Sequence, residues 1–89
     1  MSERDRKPQD LALYHYEGCP FCTRVRNAIS RLNIDLKLHD IMRDPGARQR
    51  LIAGGGRKTV PCLRIDEGEK TTWMYESRDI INYLERKFS

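Results

Sequence analysis

Cys19 and Cys22 are separated only by Pro20 and Phe21 in the stretch YEGCPFCTRVR, directly after an apolar run. Three chemistries use that spacing: a structural disulfide, half of a metal site, and a dithiol that exchanges electrons with a substrate. The chain holds three cysteines, and an odd number argues against a framework of structural disulfides. A zinc site needs a second ligand pair at compatible spacing. The remaining candidates, Cys62, His15 and His39, form no such pair. The bulky Pro20–Phe21 insert also suits a working dithiol better than a zinc knuckle, so no metal is expected. Cys19 falls where a strand hands over to a helix, and the unpaired N–H groups of a helix start act as roughly half a positive charge. That field favours a thiolate, which is the nucleophile in exchange chemistry. Cys22, inside the first turn, is expected to be less exposed and less acidic. On this reading Cys19 attacks and Cys22 resolves.

The flanking sequence supplies elements to hold that pair. LALYHY, Leu11 to Tyr16, is short, apolar and aromatic, and predicts a buried strand. From Pro20 onward Val25, Ala28, Ile29 and Leu32 recur at helical spacing. Ile34 to Ile41 alternates apolar with polar, which predicts a second strand. Asp44 is a candidate N-cap with Pro45 behind it, and the helix they open should close on Gly54, Gly55 and Gly56. Thr59 to Ile65 predicts a third strand carrying Pro61. A turn at Asp66–Gly68 then leads to a fourth strand over Lys70–Tyr75, giving a hairpin. Ile80, Ile81, Leu84 and Phe88 fall at helical spacing behind Ser77, a candidate N-cap, with Asp79 in the first turn. The order is β-α-β-α-β-β-α: an α/β fold with a four-stranded mixed sheet flanked by three helices. Its βαβ opening is parallel and its hairpin antiparallel.

Composition narrows the class. At 89 residues the chain is one small domain, near the size at which a core just holds itself together. It is 38% hydrophobic and 34% charged, as a globular protein is. No apolar run approaches the roughly 20 residues of a membrane span. The first ten residues, MSERDRKPQD, are charged and lack the apolar centre of a secretory signal. They are expected to form a flexible tail over residues 1–10, before a domain over residues 11–89. Without a signal, a cytoplasmic protein is expected, with no membrane partner. The net charge of +4 comes from basic residues dispersed along the chain rather than clustered, which does not predict nucleic-acid binding. A solvated surface with a mild preference for anionic ligands is expected, on a monomer.

Pro61 interrupts a strand that otherwise reads as central. Either the strand is an edge or loop, or the Val60–Pro61 peptide is cis and turns the Val60 backbone toward a ligand. Taken together and in order, LYHYEGCPFCTRVR, TVPCLRI and YESRDIINYL resemble the glutaredoxins and the glutaredoxin-like N-terminal domain of glutathione transferases. The resemblance spans nearly the whole chain after residue 10. It implies a thioredoxin-like fold, a cis Pro61 and a glutathione groove at the dithiol. It makes Cys19 the nucleophile and Cys22 the resolving thiol, and pairs the Val60 main chain with the cysteine of glutathione. Glu76 and Ser77 match the pair that holds the γ-glutamyl end, and Arg57 or Lys58 would take the glycine carboxylate. Phe21, expected to face solvent, would contact the disulfide partner or pack its own loop. The implied activity is that of a glutathione-dependent thiol–disulfide oxidoreductase. Glutathione would be its co-substrate, and glutathionylated proteins and small disulfides its substrates.

Two departures stand out. The lysine found before the first cysteine in many glutaredoxins is absent, and Glu17, if close, would oppose ionisation of Cys19. The ESRD stretch is closer to the transferases than to the glycine-rich loop of many glutaredoxins. Rival readings are a transferase that conjugates electrophiles, a metal or iron–sulfur module, and a catalytically silent interaction domain. The first needs a following helical domain, whereas the chain stops at Ser89, and the proline of CPFC disfavours a cluster. Cys62 is expected to be a buried, inert thiol, and Trp73 and Tyr75 to pack the last strand. His15 and His39 are expected to be structural.

Overall fold

The computed structural model describes residues 8–88; the expected flexible tail falls mainly on residues 1–7, outside the described residues. The elements are β1 (Leu11–His15), α1 (Pro20–Arg31), β2 (Lys37–Asp40), α2 (Pro45–Gly55), β3 (Cys62–Glu67), β4 (Lys70–Met74) and α3 (Ser77–Phe88). The sheet runs β2-β1-β3-β4, with β1 and β2 parallel and the other pairs antiparallel. This is the thioredoxin-like α/β arrangement expected.

β1 is buried along its whole length, so its side chains feed both faces of the sheet. Leu11 and Leu13 join Leu63 and Ile65 on one face, beneath Val25 and Ile29 of α1 and Ile80, Leu84 and Phe88 of α3. Ala12, Tyr14 and Cys62 form the other face, beneath Ala47 and Leu51 of α2. No described helix is long and apolar enough to cross a membrane.

Several boundaries differ from expectation. The second strand is confined to Lys37–Asp40, because Asn33 (φ 56°) turns the chain and pairing with β1 starts only at Ala12 opposite Lys37. Ile34 and Leu36 still enter the core without pairing, while Leu38 is 46% exposed at the sheet edge. β3 begins at Cys62 rather than Thr59, since Pro61 has no N–H to offer a ladder. The hairpin turn falls on Gly68 and Glu69, one step later than expected, with Gly68 at φ 65° in the first central position. Ser77 is the first residue of α3, and the Glu76 carbonyl accepts from the Ile80 N–H at 2.9 Å, so Glu76 holds the cap position expected of Ser77.

α2 keeps two of the glycines expected to end it. A Cβ at Gly54 would overlap the Trp73 ring, and one at Gly55 would overlap the Tyr75 hydroxyl, so glycine lets the helix lie against β4. Gly56, at φ 83°, closes the helix, and its N–H reaches the Ile52 carbonyl at 2.9 Å.

Candidate active site

The strand register brings the separated motifs to one end of the sheet. Tyr14 near the end of β1 faces Cys62 at the start of β3, and Leu63 faces Met74 at the end of β4. The segments beyond those residues, Tyr16–Cys19, Arg57–Pro61 and Tyr75–Ser77, therefore meet at that end.

Cys19 is the N-cap of α1, extended at φ −87° and ψ 119°, with Pro20 opening the first turn. Its sulfur accepts the Cys22 N–H at 3.3 Å. Its carbonyl accepts from the Thr23 N–H at 3.0 Å and the Thr23 hydroxyl at 3.1 Å. The Val60–Pro61 peptide is cis, and the Val60 carbonyl lies 4.0 Å from the Cys19 Sγ. All three cysteines are free thiols. Cys22 is fully buried, as expected, and burial followed by its hydrogen bond with Cys19 pushes its thiol up to about 12. Cys19 itself is only 5% exposed, less open than a helix-end thiol was expected to be.

The residues around this pair differ in how firmly they are held. Phe21 is 54% exposed, with the Arg24 guanidinium 5.6 Å from its ring centre. Val60 is half-buried and Pro61 buried, while Glu76 is exposed and Ser77 half-buried at the start of α3. Arg57 is tied to Tyr75: its N–H donates to the tyrosine hydroxyl at 3.3 Å, and that hydroxyl donates to the Arg57 carbonyl at 3.1 Å. The Arg57 guanidinium lies 4.4 Å over the same ring. Lys58 is exposed and makes no hydrogen bond or ion pair among the described residues. Glu17 points outward to Arg43 at 3.6 Å. Cys62 lies in the core, where burial raises its thiol to about 12 against the opposing pull of the nearby Tyr75 hydroxyl.

Arg26 is the residue that motif reading passed over. Its guanidinium donates to His15 Nδ1 at 3.0 Å, the Tyr16 carbonyl at 3.3 Å, the Glu17 carbonyl at 3.4 Å and the Thr23 hydroxyl at 3.0 Å. It thus ties the end of β1, the loop before Cys19 and the first turn of α1 into one unit. An arginine cannot accept, so His15 Nδ1 accepts and the ring is neutral. Burial and then the Arg26 charge lower its pKa accordingly. The available signal was positional: Arg26 falls one helical turn after Cys22, on the face that α1 turns toward the sheet.

A sequence profile of the glutathione S-transferase N-terminal domain matches residues 13–89. Glutaredoxin 2 of Escherichia coli (strain K12) is 32% identical over 76 residues, covering 85% of this chain and 33% of that protein. The chain thus spans about a third of the length of that curated relative. Among solved structures, the trimeric glutathione transferase TDR1 of Leishmania superposes with a TM-score of 0.72 at 26% identity, over 89% of this chain and 18% of that one. A thioredoxin-like protein designated BC3987 superposes with a TM-score of 0.66 at 22% identity, over 86% of this chain and 97% of its own. With its fold in agreement and residues 13–89 matched, this chain belongs to the glutathione S-transferase N-terminal domain family.

Proposed function

We propose that this domain is a glutathione-dependent thiol–disulfide oxidoreductase that reduces protein–glutathione mixed disulfides and small disulfides. The observation that carries the reading is the asymmetry of the dithiol. Cys19 caps α1 and takes the Cys22 N–H at 3.3 Å, while the Cys22 thiol is pushed up to about 12. The Cys22 N–H is already aimed at the Cys19 sulfur, where it would meet the charge that sulfur carries as it departs. Similarity to proteins named glutaredoxin and glutathione transferase supports glutathione as co-substrate.

In the reaction, the Cys19 thiolate attacks the glutathionyl sulfur of the mixed disulfide. The old S–S bond breaks, the substrate leaves as a thiolate that takes a proton, and glutathione remains on Cys19. A second glutathione thiolate then attacks that glutathionyl sulfur, which releases oxidised glutathione and restores Cys19. Cys22 offers the alternative exit by closing a disulfide with Cys19. The Val60 main chain would pair with the cysteine of glutathione, beside Pro61. The start of α3 at Ser77, with Glu76 next to it, would hold the γ-glutamyl carboxylate and ammonium. Lys58, without a hydrogen bond or ion pair among the described residues, is the better candidate than Arg57 for the glycine carboxylate. Phe21 would contact the departing substrate.

The test is reduction of a glutathione mixed disulfide by two variants. Cys19→Ser should abolish turnover, and Cys22→Ser should keep most of it. Full activity without Cys19 ends the proposal.

A further inference from the structure

The α2 face of the sheet carries a second recess, well away from the dithiol. Lys37, Ala12, Arg64 and Trp73 stand opposite one another on four adjacent strands, so they form one row across the sheet. α2 covers the next row, at Tyr14 and Cys62, through Ala47 and Leu51. Over the Ala12 row lies an open groove of about 420 Å³, bordered also by His39, Arg50 and Asp66. That volume is within the range of small-molecule sites, about 300–1,000 Å³.

The groove is built for negative charge. Ala12 leaves room on the floor, and Lys37 and Arg64 are the flanking walls, two strand spacings or roughly 10 Å apart along the backbone. Three cations against one carboxylate leave the lining with two positive charges. The Asp66 carboxylate is already engaged, accepting from Arg64 Nε at 3.1 Å and the Thr71 hydroxyl at 2.9 Å. Arg64 is held in place by that bond and by its stacking 5.3 Å over Trp73. Arg50 has only a loose, half-exposed contact with Asp44 at 3.8 Å. His39, its ring 5.0 Å from that of Tyr14, registers the convergence. Burial lowers its pKa, and Arg50, Lys37 and Arg64 lower it further against the opposing charge of Asp44.

We propose that this groove is a second ligand site that takes the phosphate dianion of a small phosphate monoester between Lys37, Arg50 and Arg64. A phosphate monoester carries about −1.5 to −2 charges near neutral pH, which matches the lining. Its three oxygens suit a fixed guanidinium on one side and flexible cations on the other. The site shares no residue with the proposed glutathione groove, so it stands or falls separately.

The experiment is a ¹⁵N NMR titration of the intact chain with glycerol 3-phosphate, with glycerol and with sodium chloride at matched ionic strength. Saturable shifts at the amides of Ala12, Lys37 and Arg64 are expected from glycerol 3-phosphate alone. Lys37→Gln combined with Arg50→Gln changes two exposed side chains and should weaken binding about tenfold. Ala12→Leu keeps every charge but fills the floor, and should weaken binding to a similar degree. Shifts that never saturate, that sodium chloride reproduces, or that centre on Cys19 and Ser77 overturn the site. So does a loss below about threefold in the double variant, which decides the matter even if Ala12→Leu fails to fold.

Discussion

The two faces of the sheet are built on different terms. Under α1 and α3, Leu, Ile, Val and Phe side chains fill the space between two helices and the strands. Under α2 the buried set is smaller and mixed, with Ala12, Tyr14 and Cys62 against Ala47 and Leu51, rimmed by Tyr16, Val60, Trp73 and Tyr75. One helix cannot cover four strands, so the second face ends in an open, charged groove. Each fully buried aliphatic side chain contributes about 1.5–3 kcal/mol, which concentrates stability on the first face. The second face trades some of that for polar groups, a buried thiol and backbone held close by glycines.

Leu84 and Leu51 put the same substitution on opposite sides of this contrast, since both are fully buried. Leu84→Ala leaves a cavity walled by two helices, and should cost about 4–5 kcal/mol. Leu51→Ala opens beside a groove that can relax into the space, and should cost about 2–3 kcal/mol. Urea unfolding measures both, and equal losses would erase the distinction. Gly54→Ala is next in size, at about 1–3 kcal/mol, because the new methyl lands on Trp73. Trp73 has little room to retreat, packed 5.5 Å from the Tyr14 ring. Gly46→Ala is the milder case: the nearest atoms are Asp44 Oδ1, which caps α2 by accepting the Ala47 N–H, at 3.2 Å and the free end of the Arg50 side chain at 3.3 Å. Its cost should stay at about 1 kcal/mol or less, set by how far the cap must give.

The sequence carried the first face better than the second. Val25, Ala28 and Ile29 on α1 and Ile80, Leu84 and Phe88 on α3 are spaced at the helical period, and burial follows that period. The element order was legible for the same reason, as was the dithiol at a helix start. α2 was legible only at its ends, from Asp44–Pro45 and Gly56. The need for glycine at Gly54 and Gly55 comes from Trp73 and Tyr75, two elements away, which no local pattern records. The alternation from Ile34 to Ile41 overstated β2, because side chains can alternate between core and solvent without a partner strand. The burial of Cys19, with the Val60 carbonyl 4.0 Å from its sulfur, depends on how a distant loop folds back, and nothing beside the cysteine announces it. Arg26 escaped for a similar reason: two of its four acceptors are backbone carbonyls, which sequence does not display.

Arg26 links the two regions through the shared end of the sheet. Lysine in its place keeps the charge but cannot span four acceptors with one ammonium. Arg26→Lys should lower kcat/KM for a glutathione mixed disulfide about tenfold, near 1.4 kcal/mol of transition-state stabilisation. If thermal stability falls while kcat/KM holds, Arg26 supports the fold alone and the loop it ties down is not part of the site.

The smallest expected effect separates the faces by titration. The Cys62 thiol ordinarily ionises near 9.0 and in the folded chain is pushed up to about 12. The unfolded chain therefore loses that proton first. Stability drawn from the neutral buried thiol is complete below about 9 and drains as pH rises toward about 12. Cys62→Ala removes this dependence, so parent and variant melting curves should converge as pH rises through that window. The difference between the two chains isolates Cys62 from the tyrosines and lysines that titrate in both. Parallel loss of Tm in parent and variant would mean that the thiol is already ionised or exposed in the fold. The α2 face would then be open to water at its centre as well as at its edge.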